Sequence, residues 1–371
     1  MSLPLHASCH LELGAIGQGT ALDWTAFGTR DTHCIQMLRL GIDLGMTVID
    51  TAPIYEDGHA EVVVGRALAG RRTEAFLATK FAPENSRRED VIRSAEDSLR
   101  RLGTEWIDLL QVHWPHPNIP LSDSLEGMVR LVEQGKVRHL GLGNCTAAQI
   151  REALESPAGP HLLSVQQEYS LADRSIESEI LPLCRNHQLR LLAYSPLARG
   201  KIAPQDPRAT VLMEIAESRQ VSTAQIVLGW MCRHDSVLPI PRSGTEAHLR
   251  ENAASSVIEL THEEARRIDR VYAMRMKPIA TDQILVPEGE RVYTTLGEAR
   301  ENRFGLVPGP NDLAEKIAAG EMLKPIKVEV DRDDPRGRYR LLEGRVRYWA
   351  WVIAHEGTRP IPALIEGFEE S

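Results

Sequence analysis

The chain is short of positive charge. Its 43 Lys and Arg face 52 Asp and Glu, a formal balance of −9 at pH 7, whereas a nucleic-acid partner needs a clustered excess of cations to meet its phosphates. Residues 277–371 hold 14 Lys and Arg against 17 Asp and Glu, or −3, which leaves −6 for the rest. Neither part is a basic module, and no nucleic-acid partner is expected. Cysteine is sparse as well. Cys9, Cys34, Cys145, Cys184 and Cys232 are odd in number, scattered and never spaced C-x-x-C, a pattern of reduced, mostly buried thiols rather than of a disulfide framework. No run of 18 apolar residues occurs, and "MSLPLHASCHLELGAIGQG" lacks a basic segment followed by an apolar core. No membrane span is expected, and a cytoplasmic location is. What is present, 42% hydrophobic and 26% charged residues over 371 positions, suits a globular protein with one large domain and a smaller one.

Short apolar or β-branched runs recur at roughly thirty-residue spacing, each followed by a stretch of helical period. They are "LGAIGQGT" (13–20), "TVIDTA" (47–52), "FLATKF" (76–81), "DLLQVH" (108–113), "HLGLGN" (139–144), "SVQQEY" (164–169), "RLLAYS" (190–195) and "VLPIPR" (237–242). Between them, 88–103 is a clear amphipathic helix, with Val91, Ile92, Ala95, Leu99 and Leu102 on one face and Gly103 as its stop. Eight such units fit an α/β fold of the (β/α)8, or TIM, barrel type, whose strands are buried on both faces. The rival is a doubly wound open sheet, but "GAIGQG" (14–19) does not have the G-x-G-x-x-G spacing that seats a dinucleotide there. In a barrel, chemistry gathers where strands end. Asp50, Lys80, His113, Asn144, Gln166, Tyr194 and Arg242 all fall at or just past such ends.

Four of these neighbourhoods read together as a carbonyl-reducing set. A free phenol has a pKa of about 10, too high for efficient proton donation near neutrality, but a nearby ammonium favours the phenolate. Lys80 would supply that ammonium and Asp50 its buried counter-charge, leaving Tyr55 as general acid. His113 would hydrogen-bond the same carbonyl oxygen and steady its developing charge. No side chain donates hydride, so a nicotinamide cofactor is implied.

With "IDTAPIY", "ATKF", "LLQVHWP", "GLGN", "VQQEYSL", "LLAYSPLARG" and "IPRSGTEAHLREN" in order, residues 1–275 resemble the aldo-keto reductases. The resemblance implies NAD(P)H-dependent reduction of an aldehyde or ketone, or oxidation of the alcohol, with Asp50, Tyr55, Lys80 and His113 as catalytic tetrad. It also implies a cofactor site, Asp50 at its inner edge. Asn144 and Gln166 would hold the nicotinamide carboxamide and Tyr194 would stack on the ring, with Gly19 and Thr20 completing that end. Ser195 and Leu197 would lie along the pyrophosphate, Arg242 and Ser243 at a ribose 2′-phosphate, and Glu251 and Asn252 at the adenine. NADPH is the expected cofactor and NADH the alternative, because His248 stands where many members have a further arginine. Gly143 stands where many have a serine. Trp24, Tyr55 and Trp114 would line the pocket of a small carbonyl substrate.

Past Tyr272 the character changes. Residues 276–295, rich in Pro, Gly and charge, read as a linker and lead-in segment, and 296–371 as a small α+β domain. Its order is a helix around Leu313 and Ile317, "IKVEV", a turn at "DPRG", "RYRLLEG", a helix from "RVRYWAW" and "IPALI". This looks like the ParB/sulfiredoxin-like superfamily over 277–367. That likeness implies a nucleotide-phosphate corner at Glu343, Gly344, Arg345 and Arg347, with a magnesium ion on Glu343; a helix N-terminus and arginine forks suit phosphate. Residues 277–371 contain no cysteine, which excludes sulfiredoxin chemistry. The alternative for the corner is a packing helix whose arginines face water. Two further readings of the whole chain stay open: a nucleotide-responsive regulator in which the barrel senses NADPH and the tail binds a nucleoside triphosphate, and an epimerase or isomerase that retains its NADP. A homo-oligomer is also open.

Overall fold

The computed structural model describes residues 13–21, 31–200, 208–272, 275–287, 289, 293–319, 325–331 and 334–366. Trp24, expected in the substrate pocket, lies outside them. The chain forms two compact units, residues 1–266 and 267–371.

In the first unit eight parallel strands pair in chain order: β1 (Gln18–Gly19), β2 (Val48–Asp50), β3 (Phe76–Phe81), β4 (Ile107–Val112), β5 (Val137–Gly143), β6 (Leu162–Glu168), β7 (Arg190–Tyr194) and β8 (Val237–Pro239). The N–H of Gly17 donates to Pro239 O at 2.9 Å and that of Gly19 to Pro241 O at 3.0 Å. These two bonds join the last strand to the first and close the sheet. The result is a barrel, as the eight βα repeats predict, and not the open sheet.

The barrel's interior explains where its chemistry sits. Val48, Phe76, Ala78, Leu109, Leu163, Leu192, Leu238 and Ile240 form one buried cluster drawn from six strands, which only the barrel interior can bring together. Side chains two positions apart share a strand face. Two positions along the chain from Val48, Ala78, Leu109, Leu192 and Ile240 of this layer therefore stand Asp50, Lys80, Gln111, Tyr194 and Arg242, on their respective strands or just beyond them. The outward neighbours Ile49 and Leu77 pack instead against Leu38, Val63, Ala67 and Leu102 of the surrounding helices.

The helix predicted over 88–103 forms as Arg88–Leu102, and Gly103 ends it at φ 62°. Its buried stripe is Val91, Ser94, Ala95, Ser98 and Leu102, with Ile92 and Leu99 only half-buried. Small side chains take the innermost line because this helix is sandwiched closely. A Cβ on Gly127 of the next helix would come within 2.7 Å of Arg88 O.

The second unit carries a mixed five-stranded sheet, in spatial order β10-β12-β11-β13-β9: β9 (Arg275–Ile279), β10 (Ile284–Leu285), β11 (Ile326–Val330), β12 (Tyr339–Glu343) and β13 (Ile361–Glu366). The helices predicted in the tail are present as Pro310–Ala318 and Arg345–His355. The stretch 276–295 is more than a linker. It supplies one edge strand and most of the other, and its Tyr293 is buried in the unit's core. Pro278 disguises the first of these strands, yet β9 lies at a sheet edge, where a missing N–H is tolerated. Tyr348 and Trp349 are core residues, Tyr348 Oη donating to Thr281 O at 3.0 Å and Trp349 Nε1 to Tyr293 O at 2.8 Å. Trp351 packs at the edge of the same core. Among the described residues no helix is long and apolar enough to cross a membrane.

Candidate active site

Asp50 ends β2, Lys80 is the penultimate residue of β3, and His113 follows β4. Tyr55 opens a short 3-10 turn whose next two residues, Glu56 and Asp57, hold φ near +50°. That backbone is sparsely populated for side chains other than glycine and persists only where its surroundings enforce it. Lys80, 1% exposed, donates from Nζ to Asp50 Oδ2 at 2.7 Å, to Thr51 O at 2.9 Å and to Tyr55 Oη at 3.4 Å. The rings of Tyr55 and His113 meet edge-on with centroids 5.8 Å apart. The four predicted catalytic side chains thus come together at one end of the barrel.

Their electrostatics differ from expectation in one respect. Burial pushes the Tyr55 phenol up and Lys80 pulls it down, while Asp50 adds to the rise, so the net direction is upward rather than downward. At neutral pH the phenol therefore keeps the proton that a general acid must give. Burial opposes charge on Lys80, but Asp50 and Tyr55 outweigh it and hold the ammonium above its ordinary range. Burial, with the Lys80 charge second, lowers His113 to about 3. Its Nδ1 is buried with no hydrogen-bond partner among the described residues.

The residues expected to hold a cofactor fall around the same end. Gln166 Nε2 donates to Asp50 Oδ1 at 2.8 Å, Tyr194 Oη to Asn144 Oδ1 at 2.8 Å, and Asn144 Nδ2 to His113 O at 2.8 Å. Thr20 Oγ1 donates to Asp50 O at 3.0 Å, and a Cβ on Gly19 would press to 3.0 Å from Ile240 O. The serine that many family members carry in place of Gly143 has no room here, since a Cβ would lie 2.4 Å from Val112 O. After β7, Ser195 takes a positive φ of 51° and accepts a bond from Arg199 Nε at 3.1 Å. Leu197 packs beside the apolar cluster of Ile16 and Leu249. Arg242 Nη1 donates to Ala21 O at 2.7 Å, tying the segment after β8 to the one after β1. Ser243 Oγ donates to Thr245 O at 3.0 Å, and Thr245 caps the helix Glu246–Ala254, which carries exposed His248. Glu251 accepts from Ser222 Oγ at 3.2 Å, and Asn252 is 4% exposed. Trp114, just past His113, is half exposed.

Glu343, Gly344, Arg345 and Arg347 lie in the second unit at the corner between β12 and the helix Arg345–His355. Gly344 turns this corner at φ 95°, a conformation that side chains rarely adopt. Arg347 donates to Pro325 O at 2.8 Å and to Glu343 at 3.2 Å, and Lys327 Nζ also approaches Glu343 at 3.4 Å.

One further side chain belongs to the site. Gln111 is wholly buried and donates from Nε2 to Asp50 Oδ1 at 3.2 Å. The available signal is a glutamine two residues before His113, on the same strand face, inside the otherwise apolar run "LLQV".

The aldo/keto reductase family model matches residues 15–273. A relative from Escherichia coli K12, methylglyoxal reductase YeaE, is 38% identical over 275 residues, spanning 74% of this chain and 96% of that protein. An aldo/keto reductase from Klebsiella pneumoniae solved in complex with NADP and acetate is 37% identical, with a TM-score of 0.65 over 70% of this chain and 91% of that one. A second structure of an aldo-keto reductase from K. pneumoniae, in complex with NADPH, gives 37% and 0.64 over 70% and 90%. The closed eight-stranded barrel, the converged Asp50–Tyr55–Lys80–His113 cluster and these likenesses agree: the chain belongs to the aldo/keto reductase family.

Proposed function

We propose that Tyr55 is the proton donor in the NADP(H)-dependent carbonyl reduction of this family, with Lys80, Asp50 and His113 as its partners. The observation that carries the reading is the buried Lys80 ammonium, bonded at once to Asp50 Oδ2 at 2.7 Å and Tyr55 Oη at 3.4 Å. Bound NADPH supplies the hydride to the carbonyl carbon. Tyr55 Oη delivers its proton to the carbonyl oxygen as negative charge builds there, and the Lys80 ammonium stabilises the phenolate left behind. In the oxidative direction the phenolate takes the alcohol proton back. His113 stays neutral to about pH 3 and so orients the carbonyl oxygen by hydrogen bonding, without a formal charge. The likeness to a methylglyoxal reductase supports small reactive aldehydes as the substrate class, with Trp24 and Trp114 at the pocket. NADPH consumption on a panel of small aldehydes tests this, and no turnover of any of them would overturn it.

The depressed His113 also has a consequence for stability. A free imidazole takes its proton near pH 6.5 and this one near 3, so within that window the unfolded chain binds a proton that the folded chain refuses. Stability therefore falls as pH drops from about 6.5 toward 3, by up to a few kcal/mol. His113→Asn should flatten that dependence in thermal unfolding scans across the window. An unchanged slope would show that the histidine is not held neutral.

The residues fit a nicotinamide dinucleotide. The polar groups Asn144, Gln166 and Tyr194 stand beside the tetrad, Gly19 and Thr20 stand at and just past the end of β1, and Ser195 and Leu197 lie in the segment after β7. Arg242 and Ser243, with His248, Glu251 and Asn252 on the following helix, would take the 2′-phosphate and adenine end. An arginine–phosphate contact is a charge-assisted bond, so Arg242→Ala should weaken NADPH binding by about tenfold to a hundredfold and NADH binding by less than about threefold. Equal losses for both cofactors, read by quenching of protein fluorescence, would remove the 2′-phosphate role and leave NADH as the equal alternative.

For the second unit, the order helix–strand–turn–strand–helix–strand supports the ParB/sulfiredoxin-like reading. The corner's own bonds favour packing over a magnesium nucleotide, since Glu343 already faces Arg347 and Lys327.

A further inference from the structure

We infer that Gln111 is a fifth, positioning member of the catalytic cluster, a buried amide that holds the Asp50 carboxylate so that Oδ2 faces Lys80. The inference rests on the proposed roles of the tetrad.

Barrel interiors at this depth are ordinarily filled by Val, Ile and Leu, and a buried amide is costly unless both its ends are bonded. Here both ends find partners. Nε2 donates to Asp50 Oδ1 at 3.2 Å, and Oε1 accepts from the wholly buried Ser164 Oγ at 3.5 Å. Four adjacent strands are built around this arrangement. Gln111 on β4 is in register with Lys80 on β3 and with Gly141 on β5, and Gly141 with Ser164 on β6. A Cβ on Gly141 would lie 2.6 Å from Ser164 Oγ and 2.8 Å from Gln111 Cγ. Glycine at 141 is what makes room for the other two.

Asp50 divides its oxygens. Oδ2 takes Lys80, and Oδ1 takes both Gln111 and Gln166. Gln166 is also the residue proposed to hold the nicotinamide carboxamide, so its amide has a second claim upon it. Gln111 has no such claim, because its other bond is to Ser164. It is the donor that keeps Asp50 oriented while the cofactor comes and goes.

The consequence reaches Tyr55 through charge. The titratable groups around the phenol are Lys80 on β3, Asp50 on β2 and His113 after β4. Lys80 draws the phenol's proton affinity down and Asp50 raises it. An N–H on Oδ1 shares the carboxylate's negative charge, so removing it strengthens the Asp50 field at Tyr55. The phenolate that accepts the proton in alcohol oxidation then forms only at higher pH.

Two variants test this. Gln111→Met keeps the volume and deletes the donor. For alcohol oxidation it should lower kcat at neutral pH by about tenfold and move the acidic limb of the pH profile upward by about half a unit to one unit. NADPH binding should stay within about threefold. Gln111→Glu is isosteric, and its carboxyl beside Asp50 can share a proton with it; its activity relative to the unaltered protein should recover as pH falls. If the methionine variant does not fold, the glutamate variant alone carries the test. A pH profile unmoved in both variants, with only thermal stability reduced, would make Gln111 a packing residue and overturn the inference. Tyr55→Phe distinguishes the two levels. If that variant still turns over, the tetrad reading itself has failed; if it is dead while the Gln111 profiles are unmoved, only this inference has.

Discussion

Tyr55→Phe should lower kcat for carbonyl reduction by about a thousandfold and leave NADPH binding within about threefold of the unaltered protein. The substitution deletes a single oxygen from the turn after β2. The ring keeps its edge-on packing on His113, 5.8 Å between centroids, and the strained turn at Glu56 and Asp57 is untouched. Only the proton donor goes. The loss falls on kcat because the hydroxyl acts on the oxygen that becomes charged in the transition state, and steady-state kinetics with a saturating aldehyde reads it. Equal turnover in the variant would mean that another group supplies the proton.

Lys80→Met should be costly twice over. The ammonium is almost fully buried and pairs with an equally buried carboxylate at 2.7 Å. Deleting one partner leaves Asp50 as an uncompensated buried charge, worth about 3–5 kcal/mol of lost stability. Activity should fall by about a hundredfold or more, because the phenolate of Tyr55 loses its stabilising charge. The double variant Asp50→Asn/Lys80→Met separates the two effects. Removing both charges should return most of the stability, since a neutral pair is tolerated in the barrel interior, and none of the activity. Denaturant unfolding of the three variants provides the cycle. Additive losses would show that the pair is not energetically coupled.

Much of the barrel was legible because its strands are nearly continuous apolar runs that end in polar residues. "VIDTAPIY" and "ATK" place Asp50 and Lys80 two residues beyond the interior hydrophobes Val48 and Ala78, "QVH" places His113 two residues beyond Gln111, and the folded barrel brings those ends together. Three features were hidden. The edge strand at Arg275–Ile279 contains Pro278 and sits in a stretch whose composition is that of a linker; only its pairing with β13 makes it a strand. The direction of the Tyr55 shift is hidden because sequence names the nearby charges, while burial, the largest influence, arises only in the folded chain. Gln111 is hidden because its role depends on a bond to Asp50, sixty-one residues earlier. Gly143 shows the same limit from the other side. As a departure from the family's serine it has no visible reason in the sequence; the reason is the close approach of the Val112 and His113 carbonyls.

The central claim is that this barrel reduces a carbonyl with hydride from NADPH and a proton from Tyr55. The most direct measurement gives the purified chain a small aldehyde and NADPH carrying deuterium at the transferable position, and follows the label in a single turnover. The account predicts deuterium on the carbinol carbon of the product alcohol with the unaltered protein, and no labelled alcohol above background with Tyr55→Phe under the same conditions. An alcohol without deuterium, or equal labelling by the variant, would contradict it.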